Sequence, residues 1–239
     1  RTREQWQQVL KEMVEVRGAT LSPQQVTAVL NFLDSFNQPR REIEWVETPA
    51  PPISLAFRPQ EAGPLPASWV ALIPRTNTVT PWAVQTDATG RLAFLAPSRP
   101  AAAGEQSLLI DNRGTVTNGT VTTRLRLASG TQPAAGIVFG FRTDQRYFGV
   151  RVGAPGPAGL LLYEIDPDGQ ALLGRAATTA RVGDWVSLSL TLAGKEVTVA
   201  IDGKPALRRT VERYRGGHVG LVTFGETIAW FDRWSVAVR

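Results

Sequence analysis

Trp185-Val186-Ser187-Leu188-Ser189-Leu190-Thr191-Leu192, followed by Ala193-Gly194-Lys195, then Val197-Thr198-Val199-Ala200-Ile201 and Asp202-Gly203, is the stretch whose reading decides the fold. In both runs every second residue is apolar, which gives an extended strand one buried and one wet face. Asp-Gly between apolar runs is a strong hairpin signal, because the turn needs residues that accept positive φ. The same alternation appears in Thr120-Val121-Thr122-Thr123-Arg124-Leu125-Arg126-Leu127, and Pro167-Asp168-Gly169 reads as a further turn. Working outward, residues 57–239 read as about twelve strands at the spacing of a sandwich. No helix-period segment separates them, so a parallel α/β sheet is disfavoured. The expected fold is mainly β, an antiparallel sandwich.

The first forty residues follow a different period. Trp6, Val9, Leu10, Met13 and Val14 make one apolar helical stripe, and Gly18 is a natural stop. Ser22-Pro23-Gln24-Gln25 reads as an N-cap, a proline at the first helical position and a Gln at N3. Val26, Val29, Leu30 and Leu33 supply a second stripe, which Asn37-Gln38-Pro39 ends. Residues 1–39 are thus expected to be a helical hairpin that needs cover from something else. Residues 40–56, with Arg40-Arg41, Pro49, Pro51 and Pro52, read as an extended linker outside any sheet.

Composition narrows the function classes. Apolar residues make up 43% of the 239, and charged residues 20%, as in ordinary globular proteins. The chain has no cysteine, which excludes disulfides, thiolate metal sites, thiol catalysis and covalent haem attachment within these residues. The apolar runs are too short for a transmembrane helix, and Arg1 to Arg17 has no apolar h-region of a signal peptide. Net charge is +5, carried by arginine apart from Lys11, Lys195 and Lys204. No basic block with interleaved aromatics occurs, so a nucleic-acid partner is not expected.

Several motifs in the sandwich resemble those of concanavalin A-like jelly rolls. Within these the chain looks most like the bacterial 3-keto-disaccharide hydrolase domains, related in fold to family-16 glycosidases and laminin-G modules. The resemblance runs through Gly63-Pro64-Leu65-Pro66-Ala67-Ser68-Trp69 and through Trp82-Ala83-Val84-Gln85-Thr86-Asp87 with Gly90-Arg91-Leu92. It continues through Ala135 to Phe139, Tyr147 to Arg151, the Trp185 and Val199–Lys204 hairpin, and Gly216-Gly217-His218-Val219-Gly220-Leu221 leading into Ile228 to Asp232. These are turn and core residues, so they imply the fold more than an activity. The N-terminal hairpin resembles the C-terminal helices of a small c-type cytochrome, carried by Arg1 to Trp6, Met13-Val14, Arg17-Gly18-Ala19 and Leu21-Ser22. That resemblance implies a haem-binding half upstream and a distal ligand near Met13. With no cysteine and a lone, distant His218, these residues hold no haem c by themselves, and no cofactor is expected. Either that half was lost or the sequence starts inside a longer protein.

Glycoside hydrolysis needs two carboxylates across the scissile bond. The stretch that comes nearest is Glu164-Ile165-Asp166-Pro167-Asp168, which reads as a hairpin tip rather than a catalytic strand. His218, with no partner nucleophile, reads as structural or surface. Asp87, Asp111, Asp144 and Asp202 lack the dense spacing of a calcium loop, so no metal site is expected. Asn118-Gly119-Thr120 matches a glycosylation sequon but reads as a turn. Of the seven tryptophans, Trp69, Trp82, Trp185 and Trp230 are expected in the core and Trp6 on the helical stripe. Trp45 and Trp234 are either exposed or clip the linker to the sandwich, clipping being favoured. With Arg40 and Arg41 they form the candidate interaction surface.

The sequence-based expectation is a non-catalytic, extracytoplasmic interaction module, an accessory subunit docking with protein subunits of a membrane-associated redox complex. It would be periplasmic or extracellular, with no membrane span of its own. The alternative is a lectin-like carbohydrate-binding module with a glycan partner, and after that a sugar hydrolase.

Overall fold

The computed structural model describes residues 7–12, 22, 25–26, 43–76, 82–87, 89, 93–97, 101–102, 104–153 and 155–239. The chain divides into two compact units, Arg1–Glu44 with Thr76–Thr78, and Trp45–Arg75 with Val79–Arg239.

In the first unit residues 7–12 are helical, and Leu10 on the expected stripe is buried. Ser22 and Gln25 form the reciprocal capping box: Gln25 N–H donates to Ser22 Oγ (3.2 Å) and Ser22 N–H to Gln25 Oε1 (2.8 Å). Trp6, Met13, Gly18, Arg40 and Arg41 lie outside the described residues. No described helix is long and apolar enough to cross a membrane.

The second unit is the sandwich. Its strands are β1 (Ile53–Leu55), β2 (Gly63–Pro64), β3 (Trp69–Leu72), β4 (Trp82–Thr86), β5 (Ala93–Pro97), β6 (Gln106–Val116), β7 (Gly119–Ser129) and β8 (Ala135–Thr143). They continue as β9 (Arg146–Val152), β10 (Gly156–Asp166), β11 (Gly169–Thr178), β12 (Trp185–Ala193), β13 (Glu196–Ile201), β14 (Lys204–Thr210), β15 (Gly217–Phe224) and β16 (Ile228–Val238). One sheet runs β14-β13-β12-β7-β16-β5-β4-β2, with β1 also on β16; the other runs β11-β10-β9-β8-β15-β6-β3. All strand pairs are antiparallel. This is the expected jelly-roll-like sandwich, with sixteen described strands where the sequence suggested about twelve.

The deciding stretch folds as read. Val186, Leu188, Leu190 and Leu192 point inward, pairing β12 with β13 through Leu190↔Val199 and with β7 through Leu190↔Val121. Asp202 and Gly203 take φ of 50° and 76°, the two positive values of a type I′ turn. Asp202 also accepts the Ser187 N–H through Oδ1 at 2.8 Å, pinning the hairpin tip to β12.

Two expectations about this unit need correcting. The linker 40–56 does enter a sheet: Ile53–Leu55 pairs with Trp234–Val236 of β16. Before it, Pro49 bridges Thr115 in parallel, and Ala50 N–H donates to Thr115 O at 2.8 Å. Proline is tolerated because the segment runs along edges, where its missing donor costs no ladder bond. Gly114 (φ 148°) makes the close approach possible, since a Cβ there would sit 2.6 Å from Thr48 O. The second correction concerns tryptophans. Trp69 and Trp82 are core residues, but Trp185 and Trp230 stand half-buried on the outward face of the nine-stranded sheet. Their neighbours Val186, Ala229 and Phe231 occupy the inward positions, and period-two geometry sends the indoles the other way.

Candidate functional site

The outward face of the seven-stranded sheet ends in a cleft of about 420 Å³, lined among others by Glu105 and Gln106 at the start of β6, Arg151 on β9, Gln170 on β11, Phe224 on β15 and Glu226 just after it. Long-range pairing assembles it. Gln106 pairs with Phe224 across β6 and β15, and Arg151 pairs with Gly136 and Leu161 on its two neighbours. The size suits a small polar ligand or the end of a larger one.

Gln106 is the best-held group. Its Oε1 accepts the hydroxyls of Tyr147 (3.2 Å) and Tyr163 (3.3 Å). With Oε1 thus occupied, the carboxamide has its NH₂ donors left to offer a ligand. Burial pushes both tyrosine hydroxyls well above their usual pKa, so they stay neutral donors. Tyr163 reaches Gln106 by leaning over Gly149, where a Cβ would collide with its ring and hydroxyl. The Arg151 guanidinium carbon lies 5.3 Å from the centroid of Phe224, and its Nε is buried without a hydrogen-bond partner. A flat, charged fork backed by an aromatic ring is a rigid donor. Glu226 Oε2 accepts the Thr131 hydroxyl at 3.0 Å, and Glu105 Oε2 accepts the Ala102 N–H at 3.2 Å. The cleft therefore combines fixed donors, two carboxylate acceptors and one apolar ring, a set that matches a polyhydroxylated ligand.

The residues singled out from sequence lie elsewhere. Trp45 clips its segment to the sandwich. Its ring is 4.9 Å from that of His218 and 5.2 Å from Phe141, and Val46 N–H donates to Asn112 Oδ1 at 3.0 Å. His218 is buried, with Nε2 3.1 Å from Val46 O, and serves the same clip. Trp234 is 1% exposed and lines no surface. Arg233, at φ 54°, sits in a bulge of β16 that shifts the register between Asp232 and Ser235. Counting by twos from Ala229 and Phe231 puts residue 234 outward, and the bulge turns it inward. There its Nε1–H donates to Asp111 Oδ2 (2.9 Å). Arg40 and Arg41, as noted, fall outside the described residues.

Glu164 and Asp166 are both bound by Arg213, at 3.2 and 2.9 Å, and Asp166 Oδ1 also accepts the N–H groups of Asp168 and Gly169. The Arg213 hydrogen bond holds the Asp166 carboxyl below its usual pKa. They form a braced turn, as the Pro-Asp-Gly motif implies. Asp111 is clamped by Arg113 and Trp234, Asp87 accepts the Thr89 hydroxyl, Asp144 accepts the Arg75 N–H and Asp202 caps its hairpin. Among the described residues no three His, Cys, Asp or Glu side chains gather as a metal site would require. Asn118 closes a turn, its Oδ1 accepting the Gly194 N–H.

No protein-family model and no curated protein sequence matches the chain. Solved structures do match in fold. A carbohydrate-binding module, CBM66 from Bacillus subtilis, superposes with a TM-score of 0.57 at 12% identity, over 71% of this chain and 95% of that one. A xylan β-1,4-xylosidase from Bacillus halodurans C-125 gives 0.55 at 14%, over 82% of this chain and 41% of the other. SCLam, a family GH16 endo-β-1,3(4)-glucanase, gives 0.53 at 11%, over 83% and 98%. At these identities the likeness is one of fold, a concanavalin A-like sandwich.

Proposed function

We propose that the sandwich is a carbohydrate-binding module whose ligand enters the cleft between Gln106, Arg151 and Gln170. The observation that carries this reading is the cleft's mixture of held donors and acceptors around one half-buried ring, centred on a Gln106 fixed by two tyrosines. The names of the fold neighbours, a carbohydrate-binding module and two polysaccharide-degrading enzymes, favour the same substrate class. This reading takes precedence over the redox-accessory expectation, which rests on the cytochrome-like N-terminal hairpin, the missing catalytic pair and the arginine-rich sandwich.

The test is a glycan array followed by calorimetric titration of the best hits. Arg151→Gln and Gln170→Ala should each weaken a retained sugar at least tenfold while the melting temperature stays within a few degrees. An empty array, or variants that bind as the parent does, refutes the assignment. Glu105 and Glu226 line one cleft, so hydrolysis is the second reading. Reducing ends released from an array hit, and abolished by Glu226→Gln, would establish it.

A further inference from the structure

The outward face of the nine-stranded sheet carries a second ordered group that the cleft does not use. Pairing sets Trp185 of β12, Arg126 of β7 and Trp230 of β16 in one cross-strand row, and Ser187, Arg124 and Asp232 in the next. The Arg126 guanidinium carbon lies 4.7 Å from the Trp230 ring centroid, and that of Arg124 lies 5.0 Å from Trp185. All four side chains are partly exposed. Arg126 Nε is sheltered and has no hydrogen-bond partner. Arg124 has a loose contact with Asp232 at 3.7 Å, and Asp232 also takes the Arg233 N–H at 2.7 Å. The following rows hold hydroxyls, Ser189, Thr122 and Ser235, then Thr191 and Thr120, with Thr122 and Ser235 bonded at 2.6 Å.

The charge balance of these two rows and the bulge beside them is positive, the guanidiniums of Arg124, Arg126 and Arg233 against the carboxylate of Asp232, while Arg208 and Glu196 farther along the same face pair with each other. Indole backing removes water from one side of each fork and restricts its rotamers, so the donors are pre-positioned for a planar anion. The two indoles flank a single strand, so they stand about 9.6 Å apart, twice the strand spacing. That is the length of an extended disaccharide, and the hydroxyl rows continue the face in the way sugar hydroxyls would use. We propose that this face is a binding site for a carboxylate-bearing polysaccharide, with a uronate carboxylate on Arg126 and Arg124 and the neighbouring rings against Trp185 and Trp230. The site is separate from the cleft and does not depend on what the cleft binds.

Affinity electrophoresis and calorimetry of the full chain with polygalacturonate, neutral mannan and dextran sulfate test it. Polygalacturonate should bind and mannan should not. The paired change Arg124→Gln and Arg126→Gln should weaken binding at least tenfold, and Trp185→Ala several-fold although it removes no charge. The paired change Arg146→Gln and Arg175→Gln, an equal loss of charge on β9 and β11 of the other sheet, and Arg151→Gln in the cleft should leave binding unchanged. Near-UV circular dichroism establishes that each variant is folded, and Trp185→Phe replaces Trp185→Ala if the latter is not. No binding of polygalacturonate overturns the proposal. So does an equal loss in the paired Arg146→Gln and Arg175→Gln variant, which would mean that net charge alone is read. Equal affinity for dextran sulfate, lost through the same variants, overturns the carboxylate sugar in favour of any polyanion.

Discussion

Replacing Asp111 should cost more than replacing any other aspartate of the sandwich. Asp111 is 2% exposed, and both its oxygens are taken: Arg113 Nε and NH2 each donate at 2.7 Å, and Trp234 Nε1–H at 2.9 Å. In Asp111→Ala the indole N–H is left in the core without an acceptor, which costs about 1–3 kcal/mol. Arg113 is 24% exposed, so its guanidinium can turn toward water, and its share falls well below the ~3–5 kcal/mol of a fully buried broken pair. Together these give about 3 kcal/mol, or a drop in melting temperature of roughly 6–12 °C for a unit of this size. Asp111→Asn keeps an acceptor for Trp234 and loses mainly the charge, so about 1–2 kcal/mol is expected. The assay is urea unfolding followed by tryptophan fluorescence, with the midpoint shifting and the slope constant. Adding calcium or a chelator should leave the parent's midpoint where it is, since Asp111 is committed to protein donors. An Asp111→Ala variant within about 1 kcal/mol of the parent, or an Asn variant as damaged as the Ala one, would refute the account of this cluster.

Three further outcomes are expected. The chain has three tyrosines, Tyr147, Tyr163 and Tyr214, and burial raises the pKa of each. Because the folded pKa lies above the unfolded value near 10, their contribution to stability is complete below about pH 10 and is lost as pH rises beyond it. Phenolate absorbance should therefore appear only together with loss of the β-sheet circular dichroism signal; a tyrosine titrating near pH 10 in folded protein would contradict their burial. The Asp166 carboxyl is lowered mainly by its hydrogen bond to Arg213, so its contribution is present above about pH 4 and fades as pH falls through the folded value. In Arg213→Gln, carbon-detected NMR titration should find the Asp166 midpoint moved upward, and an unmoved midpoint would remove Arg213 as the cause. Gly149→Ala should push Tyr163 away from Gln106 and weaken any cleft ligand more than it lowers the melting temperature; a crystal structure with the Tyr163–Gln106 bond intact would count against it.

Local rules carried the reading of the sandwich and failed where geometry is set from a distance. The hairpins 185–203 and the braced tip at Asp166–Gly169 follow from alternation and turn chemistry within a dozen residues. The capping box of Ser22 and Gln25 is local in the same way. β1 was illegible because three residues between prolines carry no period, and only the β16 edge makes them a strand. Trp234 is covered and paired with Leu55 of the linker, as the favoured clipping reading had it, but its inward turn was not legible, because one bulge residue reverses the parity of everything after it. Trp185 and Trp230, by contrast, were legible in principle: the apolar residues at 186, 188, 229 and 231 already claim the inward face. The cleft was out of reach altogether. Glu105 and Gln106 precede an apolar strand, Glu226 follows a glycine in a turn, and Arg151 sits in an alternating run, each ordinary in its own context.

The two outward faces differ in kind, and the difference bears on what each can bind. On the seven-stranded sheet Leu108, Ile110, Val138 and Val222 are wholly buried though they point away from the central core, and Tyr147, Tyr163 and Phe141 pack with them. Along that buried apolar stretch a sugar chain finds little to hydrogen-bond; at its end Gln106, Arg151 and Gln170 converge. That geometry selects a short or terminal unit, held by hydrogen bonds whose loss on truncating one side chain is large because each donor is already oriented. The nine-stranded sheet offers the reverse: hydroxyls, indoles and guanidiniums set out in successive cross-strand rows on its outward face. Binding there must come from many weak contacts repeated along a polymer, so it should strengthen with chain length and weaken with salt. Oligogalacturonides of increasing length separate the two modes. Affinity that levels off after one or two sugars points to the cleft, and affinity that keeps rising with length points to the tryptophan–arginine face. If affinity stayed flat with length while Arg124 and Arg126 were still required, the second face would be an anion site of single-residue reach, and the argument from indole spacing would fall.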